Sequence, residues 1–549
     1  MMKRLTFGCP EDFVPSKYCR NFRYEETMIS YPAEEIRFRV NRRGCILEFP
    51  MGEEQVYGFG LQLKAFNQTD KELFLRVNAD PQNTAGDSHA PAPFWVTTAG
   101  YGIYLDTARN VEIHCRVRRL GGGADIMSVQ ILNASGIDVY VMEGESITEI
   151  TAQYNRMAGG GCTVPEWGLG VLYRCNWHYN QEKVLETAEY FRRQDIPCSV
   201  LGLEPGWHTH NYPCSYEWNP EYFPEPENMI KRLLEMGFHL NLWEHAYISE
   251  ESPLYEDMKH YSADYMVLGG LMPDLSPNQG RGPFAKYHRE YLVKKGVDGF
   301  KLDECDNTNL VEYGWKMFPN STQFPSGLDG EQYHNLFGVF YMQTILDALE
   351  GTETFSEVRS AGALSAPYPF ALYSDLYDHK DFIRGVVNSG FSGLLWAPEV
   401  RHAQTAKELI RRLQTAVFSV QCLINGWYCE EVPWKELGCE AEVRELLKER
   451  ERLVPRLKAA FDRYAGTGVP PVRALVMDYT SDSETYDIDD EYLIGDDLIV
   501  APMTAEQEER RIYLPEGRWK DYWTGEEAGA GWLTVRTERI PVYRKISIL

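Results

Sequence analysis

Short apolar and alternating runs open the chain. EIRFRV, GCILEFP, FWVTTA, GYGIYLDTA, VEIHCRV and DVYVMEG recur before residue 165, separated by Gly, Asn and Asp clusters such as NADPQNTAGDSH. An apolar side chain at every second position gives a strand one buried face, and few helical periods interrupt these runs. This region is therefore expected to form an antiparallel sandwich. From Trp167 the pattern changes, and short apolar runs alternate with amphipathic stretches. Strands are predicted at 170–174, 199–204, 239–244, 299–304, 354–359, 370–375, 392–399 and 419–425. Between them lie helical patterns such as QEKVLETAEYFRRQ, ENMIKRLLEMG, AKYHREYLVKKG, YHNLFGVFYMQTILDALEG, KDFIRGVVNSG and TAKELIRRLQTAVF. Eight strands, each followed by a helix, is the count of an eight-fold β/α barrel. The charged helical stretch CEAEVRELLKERERLVPRLKAAFDRYAG closes it, and after residue 465 the chain turns β again. The expected architecture is α/β: a central barrel (166–464) flanked by N-terminal (1–165) and C-terminal (465–549) β-sandwich domains. Segments 246–285 and 305–330, rich in Pro, Gly and Asn, are expected to loop over one mouth.

Composition narrows the partners. Lys and Arg total 55 against 81 Asp and Glu, a net charge of −26. Such a surface repels phosphate backbones and anionic lipid, so neither nucleic acid nor a membrane is an expected partner. No run of about 18 apolar residues marks a membrane span. The N-terminal MMKRLTFGCPEDFV lacks an apolar leader core, so a cytoplasmic protein is expected. The twelve cysteines are scattered singly, without CxxC, which suits free thiols in a reducing compartment.

Chemistry in a β/α barrel is carried at the C-terminal strand ends. The last polar residues there are Arg174, Glu204, Glu244 with His245, Asp303 with Glu304, Arg359, Asp375, Glu399 and Asn425. A mouth rich in carboxylates but without a His/Cys ligand set points to glycoside hydrolysis, which needs one carboxylate at the anomeric carbon and one acid at the leaving oxygen. Asp303 is the candidate nucleophile. In FKLDE, Lys301 shares its face, and a nearby ammonium would favour the ionised carboxylate. Asp375 is the candidate acid/base, with a pKa expected to be raised by the charge of Asp303. Asp378, one turn on, suits a helix cap instead.

These residues sit in longer motifs: YGFGLQL, RVNADPQN and PFWVTTAGYGIYLD; EWNPEYFPEPENMIKRLLEMGFHLNLW, GVDGFKLDECD and RSAGALSAPYPFALYSD; VRALVMDYTSDSETYDIDDEYLIGDDLIVAPM and IYLPEGRWKDYWTG. Across nearly its full length the chain resembles glycoside hydrolase family 31, the retaining α-glycosidases. The resemblance implies Asp303 as nucleophile, Asp375 as acid/base and Arg359 as a contact to the sugar in subsite −1. It implies an exo-acting, α-glucosidase-like enzyme on small oligosaccharides or α-glycosides, without a cofactor. The sequence also departs from the family. The Asp on strand two is here Glu204, and the Asp after strand seven is Glu399. Trp-X-Gly-Asp around the acid/base reads Leu372, Tyr373, Ser374, Asp375. The Arg-Asn-His run after strand eight reads Leu423, Ile424, Asn425. A ring altered in this way leaves α-galactoside, α-N-acetylgalactosaminide and α-xyloside open, and equally transglycosylation or a non-catalytic carbohydrate-binding role.

Aromatic and histidine side chains extend the candidate site. Glu204, with Arg359, is expected to hold sugar hydroxyls; Trp207, Trp243, His245, Lys301, Glu399 and Asn425 are expected near the sugar, and Asp80 on its +1 side. Trp177, His178 and Trp396 are further wall candidates. His208, His210 and His245 could by count bind zinc, and the acidic run 487–497 could bind calcium. The mechanism needs neither, so no metal is expected.

Overall fold

The computed structural model describes residues 1–79, 83–118, 125–307 and 317–546. Two five-stranded antiparallel sheets make the N-terminal sandwich. In the outer sheet, Gly44–Pro50 and Ile126–Leu132 alternate buried and half-buried residues, as one solvated face requires. In the inner sheet, Pro91–Thr97 and Tyr101–Asp106 are buried throughout. One face of that sheet packs Ile103, Leu105 and Val139 into the sandwich core with Leu47 and Val129. The other packs Phe94, Tyr104 and Tyr140 against the barrel side. A helix not expected from the sequence, Ile147–Met157, covers this second face. Ser146 caps it by accepting from the Glu149 N–H, and Tyr154 stacks on Phe94 at 3.9 Å.

The barrel has eight strands: β1 (Val171–Arg174), β2 (Val200–Leu203), β3 (His239–His245), β4 (Gly299–Asp303), β5 (Ser356–Val358), β6 (Phe370–Leu372), β7 (Glu399–Val400) and β8 (Cys422–Asn425). Seven fall within the predicted runs, β3 ending one residue later, whereas β7 begins only at Glu399, the last residue of the predicted 392–399. They run parallel in the order β6-β5-β4-β3-β2-β1-β8-β7. A bridge between Leu372 and Trp396 joins the two ends of the sheet, with Leu372 N–H donating to Leu395 at 2.6 Å and Ala397 N–H to Leu372 at 2.8 Å.

The helices are α1 (Gln181–Arg193), α2 (Pro226–Glu235), α3 (Arg281–Tyr291), α4 (Gly330–Ala348), α5 (His379–Ser389), α6 (Ala406–Val417) and α7 (Glu440–Thr467). The expectation of a helix after every strand fails at β5, because residues 359–369 cross to β6 in turns alone. The first turns carry polar caps: Asn180 for α1, Asp329 with Gln332 as a capping box for α4, Asp378 for α5 and Thr405 for α6. Asp378 is thus a cap, accepting from the Lys380 and Asp381 N–H groups at 3.0 Å. The buried Arg450 of α7 clamps the bottom of the barrel. It donates to the carbonyls of Leu169 (2.6 Å), Val417 (2.8 Å), Ser419 (2.6 Å) and Val420 (3.0 Å), satisfying acceptors left over where α6 ends.

Segment 246–285 carries a hairpin, Ser262–Val267 with Gly270–Pro273, rather than bare loop. Part of 305–330 lies outside the described residues. The C-terminal region pairs a six-stranded with a two-stranded antiparallel sheet around Leu493, Ile499, Ile512, Leu514 and Trp519. The acidic run 487–497 is used by arginines: Arg384 meets Asp489 at 2.7 Å, Arg510 meets Asp490 at 2.7 Å, and Arg463 and Arg456 pair with Asp496 and Asp497.

Candidate active site

The strand ends converge on one mouth, floored by a buried ionic network. Arg174 of β1 is wholly buried. It donates to Glu204, to Asn241 Oδ1 at 2.9 Å and to Glu357 Oε2 at 3.1 Å. Asn241 and Gln421 donate to the two oxygens of Glu357 at 3.0 and 2.9 Å. Burial pushes the Glu357 carboxyl up to about 7, with Arg174 opposing. Lys301 Nζ lies 3.2 and 3.3 Å from the oxygens of Glu204. Burial alone would push Glu204 up, but Arg174 and Lys301 outweigh it and hold the carboxyl below its usual range. The expected pairing of Lys301 with Asp303 is therefore corrected. The lysine serves Glu204, a carboxylate locked in the barrel interior.

Asp303 ends β4. Its Oδ2 accepts from Trp243 Nε1 at 2.7 Å, and its Oδ1 from the Glu304 N–H at 2.9 Å. Asp375 follows β6, and its carboxylate spans two guanidinium groups. Arg359 Nη1 donates to Oδ2 at 2.6 Å, and Arg401 donates to Oδ1. The same Arg359 nitrogen lies 3.6 Å from Asp303 Oδ1. Partial burial pushes Asp375 up, but Arg359 and then Arg401 outweigh it, holding the carboxyl far below its usual range. The expected upward shift is reversed, because the groups in contact with Asp375 are cations rather than Asp303.

Glu304 sits at φ 57°, a left-handed conformation that costs a residue with a side chain. Its carboxyl accepts from Asn307 at 2.6 Å and Tyr212 OH at 3.2 Å. Burial, and then the charge of Asp303, pushes it up to about 8. On β7 and β8, Asn425 Nδ2 donates to Glu399, whose other oxygen is 3.4 Å from Arg401.

Other expected residues line the wall without opening on the mouth. His245 is fully buried among Tyr212, Trp243 and Tyr247, and burial pushes it down to about 3, leaving it neutral. Trp207 is 1% exposed and donates to the Trp243 carbonyl at 2.7 Å. Its ring packs against His208 and Trp218. Trp396 donates to the Phe382 carbonyl at 3.3 Å, toward α5. Glu244 points the other way along β3, to Tyr341 OH at 2.7 Å and His288 at 3.0 Å. The histidine trio does not assemble. His208 is held by the Trp243 carbonyl and the Tyr216 N–H, and His210 by the Pro213 carbonyl. Among the described residues, no group of three or more His, Cys, Asp or Glu side chains is placed to hold a metal. Asp80 lies outside the described residues. On the rim, Trp177 and Tyr428 are 37% and 62% exposed, and Trp177 N–H bonds the Trp427 carbonyl at 3.3 Å.

Residues 162–460 match the model of the glycosyl hydrolases family 31 TIM-barrel domain, and residues 468–548 that of the family's C-terminal domain. The chain belongs to glycoside hydrolase family 31. Family relatives include an α-xylosidase of Emericella nidulans, 23% identical over 89% of this chain and 65% of its own length, and α-xylosidase XylQ of Lactiplantibacillus pentosus, 22% identical over 85% and 63%. The chain thus spans just under two thirds of these relatives. A solved cycloalternan-forming enzyme from Listeria monocytogenes, in complex with a pentasaccharide, shares the fold with a TM-score of 0.82. It is 22% identical over 92% of this chain and 53% of that one. Among the described residues no helix is long and apolar enough to cross a membrane.

Against the family pattern, the mouth holds residues that strand-end reading missed. Glu357 lies one position back from the end of β5, and Asn241 four back from the end of β3. Arg401, Trp427 and Tyr428 lie just past the last predicted strand residue. Period-two alternation would have flagged Glu357, which shares a face with Arg359. Nothing in the local sequence marks Arg401 as a partner of Asp375, since the contact spans 26 positions.

Proposed function

We propose that this protein is a retaining, exo-acting α-glycosidase releasing a non-reducing terminal sugar from small oligosaccharides or α-glycosides. Asp303 acts as nucleophile and Asp375 as acid/base. One observation carries the reading: a single Arg359 nitrogen reaches both carboxylates, at 3.6 and 2.6 Å. Those two oxygens are therefore no more than about 6 Å apart, a bound that admits the roughly 5–5.5 Å of retaining pairs and falls short of the roughly 6.5–9.5 Å of inverting ones.

In the first step Asp303, aimed by Trp243 and the Glu304 N–H, attacks the anomeric carbon. The glycosidic bond breaks, and Asp375 donates its proton to the leaving oxygen. In the second, ionised Asp375 takes a proton from water, whose oxygen displaces Asp303 with net retention. The two guanidinium contacts of Asp375 favour its ionised form, which the second step uses.

The sugar-reading ring supports an α-glucosidase-like frame with altered specificity. Glu204 is committed to Arg174 and Lys301, and Glu399 to Asn425 and Arg401, so neither is a free acceptor for distal hydroxyls. Trp177 and Tyr428 offer flat surfaces to a leaving sugar. The twelve free cysteines support action in a reducing compartment, and cell fractionation tests that. The activity test is a p-nitrophenyl panel of α-glucoside, α-xyloside, α-galactoside, α-N-acetylgalactosaminide and β-glucoside, run with wild type and Asp303→Ala. Hydrolysis of one α-glycoside, lost in the variant, is expected. Turnover of the β-glucoside alone, or activity surviving in Asp303→Ala, would overturn the proposal.

A further inference from the structure

We propose that His89, from the N-terminal sandwich, and Ser374 are positioning residues that hold Asp375 in place through a closed ring of hydrogen bonds. The inference rests on Asp375 being the acid/base. His89 Nδ1 lies 2.6 Å from Asp306 Oδ2, and its Nε2 lies 2.6 Å from Ser374 Oγ. Arg359 Nε donates to the same Asp306 oxygen at 3.2 Å, while its Nη1 donates to Asp375. Ser374 Oγ accepts the Leu376 N–H at 3.2 Å, bracketing the Asp375 backbone from both sides.

The partners assign the protons. Burial pushes Asp306 up, but Arg359 and His89 outweigh it, so it is an anionic acceptor. The imidazole therefore donates from Nδ1 to Asp306 and shares a hydrogen bond with the Ser374 hydroxyl at Nε2. The ring runs from the Leu376 N–H through Ser374, His89, Asp306 and Arg359 to the Asp375 carboxylate. It fixes both the backbone and the head of one side chain, although that side chain is itself 56% exposed. The Ser-His-Asp order matches a nucleophilic triad, but Ser374 is 1% exposed and its oxygen already holds an N–H, so no substrate reaches it. Burial also gives the ring its stiffness: His89 and Asp306 are 1% and 0% exposed, and hydrogen bonds away from water are strong and poorly replaced. The link depends on a hydroxyl at the position where the family pattern has Gly.

A positioning role predicts a particular selectivity. A displaced acid fails substrates whose leaving oxygen needs a proton and spares those that leave without one. The experiment compares kcat/KM for a p-nitrophenyl glycoside and an unactivated alkyl glycoside of the same sugar, in wild type, Ser374→Ala, His89→Ala, His89→Gln and Asp375→Ala, with thermal melts alongside. General acid catalysis contributes about 10²–10⁴-fold, and misplacement by about 1 Å can cost about a hundredfold. Ser374→Ala and His89→Ala are expected to lose about tenfold or more on the alkyl glycoside and only a few-fold on the p-nitrophenyl one. His89→Gln, which can still bridge, should recover part of the loss. Equal losses on both substrates, or none, would overturn the inference while leaving Asp375 as acid if Asp375→Ala discriminates. If Asp375→Ala also loses both equally, the acid assignment falls and the inference with it. Should His89→Ala not fold, Ser374→Ala, a change of one hydroxyl, decides.

Discussion

Arg401 is the residue whose removal probes the electrostatics of the mouth most sharply. It pairs with Asp375 Oδ1, while Arg359 holds Oδ2. A positive charge beside a carboxylate favours its ionised form and so opposes the protonated form that a general acid needs. Two unit charges 4 Å apart interact by about 4 kcal/mol at an effective dielectric of 20, whereas exposed pairs deliver about 0–1 kcal/mol. The Asp375 side chain is 56% exposed and that of Arg401 14%. The pair therefore sits nearer the screened limit, at about 1–1.5 kcal/mol, or roughly one pKa unit. Arg401→Ala should raise the Asp375 pKa by that amount. Because the acid form is lost as pH rises through the pKa, the alkaline limb of kcat/KM on an unactivated α-glycoside should move up by about one unit. At a fixed pH on that limb the variant should outpace wild type by up to about tenfold, and added salt should narrow the gap. Arg401→Lys, which keeps the charge, should resemble wild type. An alkaline limb that stays in place or moves down in Arg401→Ala would refute the reasoning.

Other consequences follow from the same contacts. Asp303→Ala should lower turnover by about three orders of magnitude or more on every substrate, whereas Asp375→Ala should lose about a hundredfold or more on alkyl glycosides and spare p-nitrophenyl ones, as paired kinetics would show. Glu304 is pushed up to about 8 by burial and then by the charge of Asp303, so its proton is lost as pH rises through that region. Glu304→Gln should match wild type near pH 6–7 and flatten any transition near 8, and a pH–rate profile unchanged at 8 would count against this. Arg450→Met leaves four carbonyls without their donor and should destabilise the fold by about 3–5 kcal/mol, read as a lowered urea midpoint.

Much of this arrangement was legible in the chain because barrel strands are short, parallel and apolar, and their last polar residues are forced to one end. Asp303, Arg359 and Glu204 stand at or just past their strand ends, whereas Asp375 lies three residues past β6 and Glu399 opens β7. The residues it misjudged differ in what fixes them. The partner of Lys301 depends on which carboxylate lies across the barrel, a matter of strand order and closure rather than of neighbours in sequence. The direction in which Asp375 shifts depends on Arg401, whose reach back from the end of β7 no local pattern encodes. Trp207 reads as a wall residue from its place after β2, yet its indole N–H is spent on the Trp243 carbonyl and its ring is covered by Trp218. His89 was invisible because its role joins the sandwich to the barrel across 285 positions.

The most direct test of the central claim is covalent capture. With the sugar identified by the p-nitrophenyl panel, the matching 5-fluoro-α-glycosyl fluoride should glycosylate the enzyme with loss of fluoride, forming an ester that hydrolyses slowly, and mass spectrometry of the digested protein should place one glycosyl group on Asp303. A label on Glu304, Asp306 or Asp375 instead, or turnover that inverts the anomer and leaves no carboxylate labelled, would contradict the account.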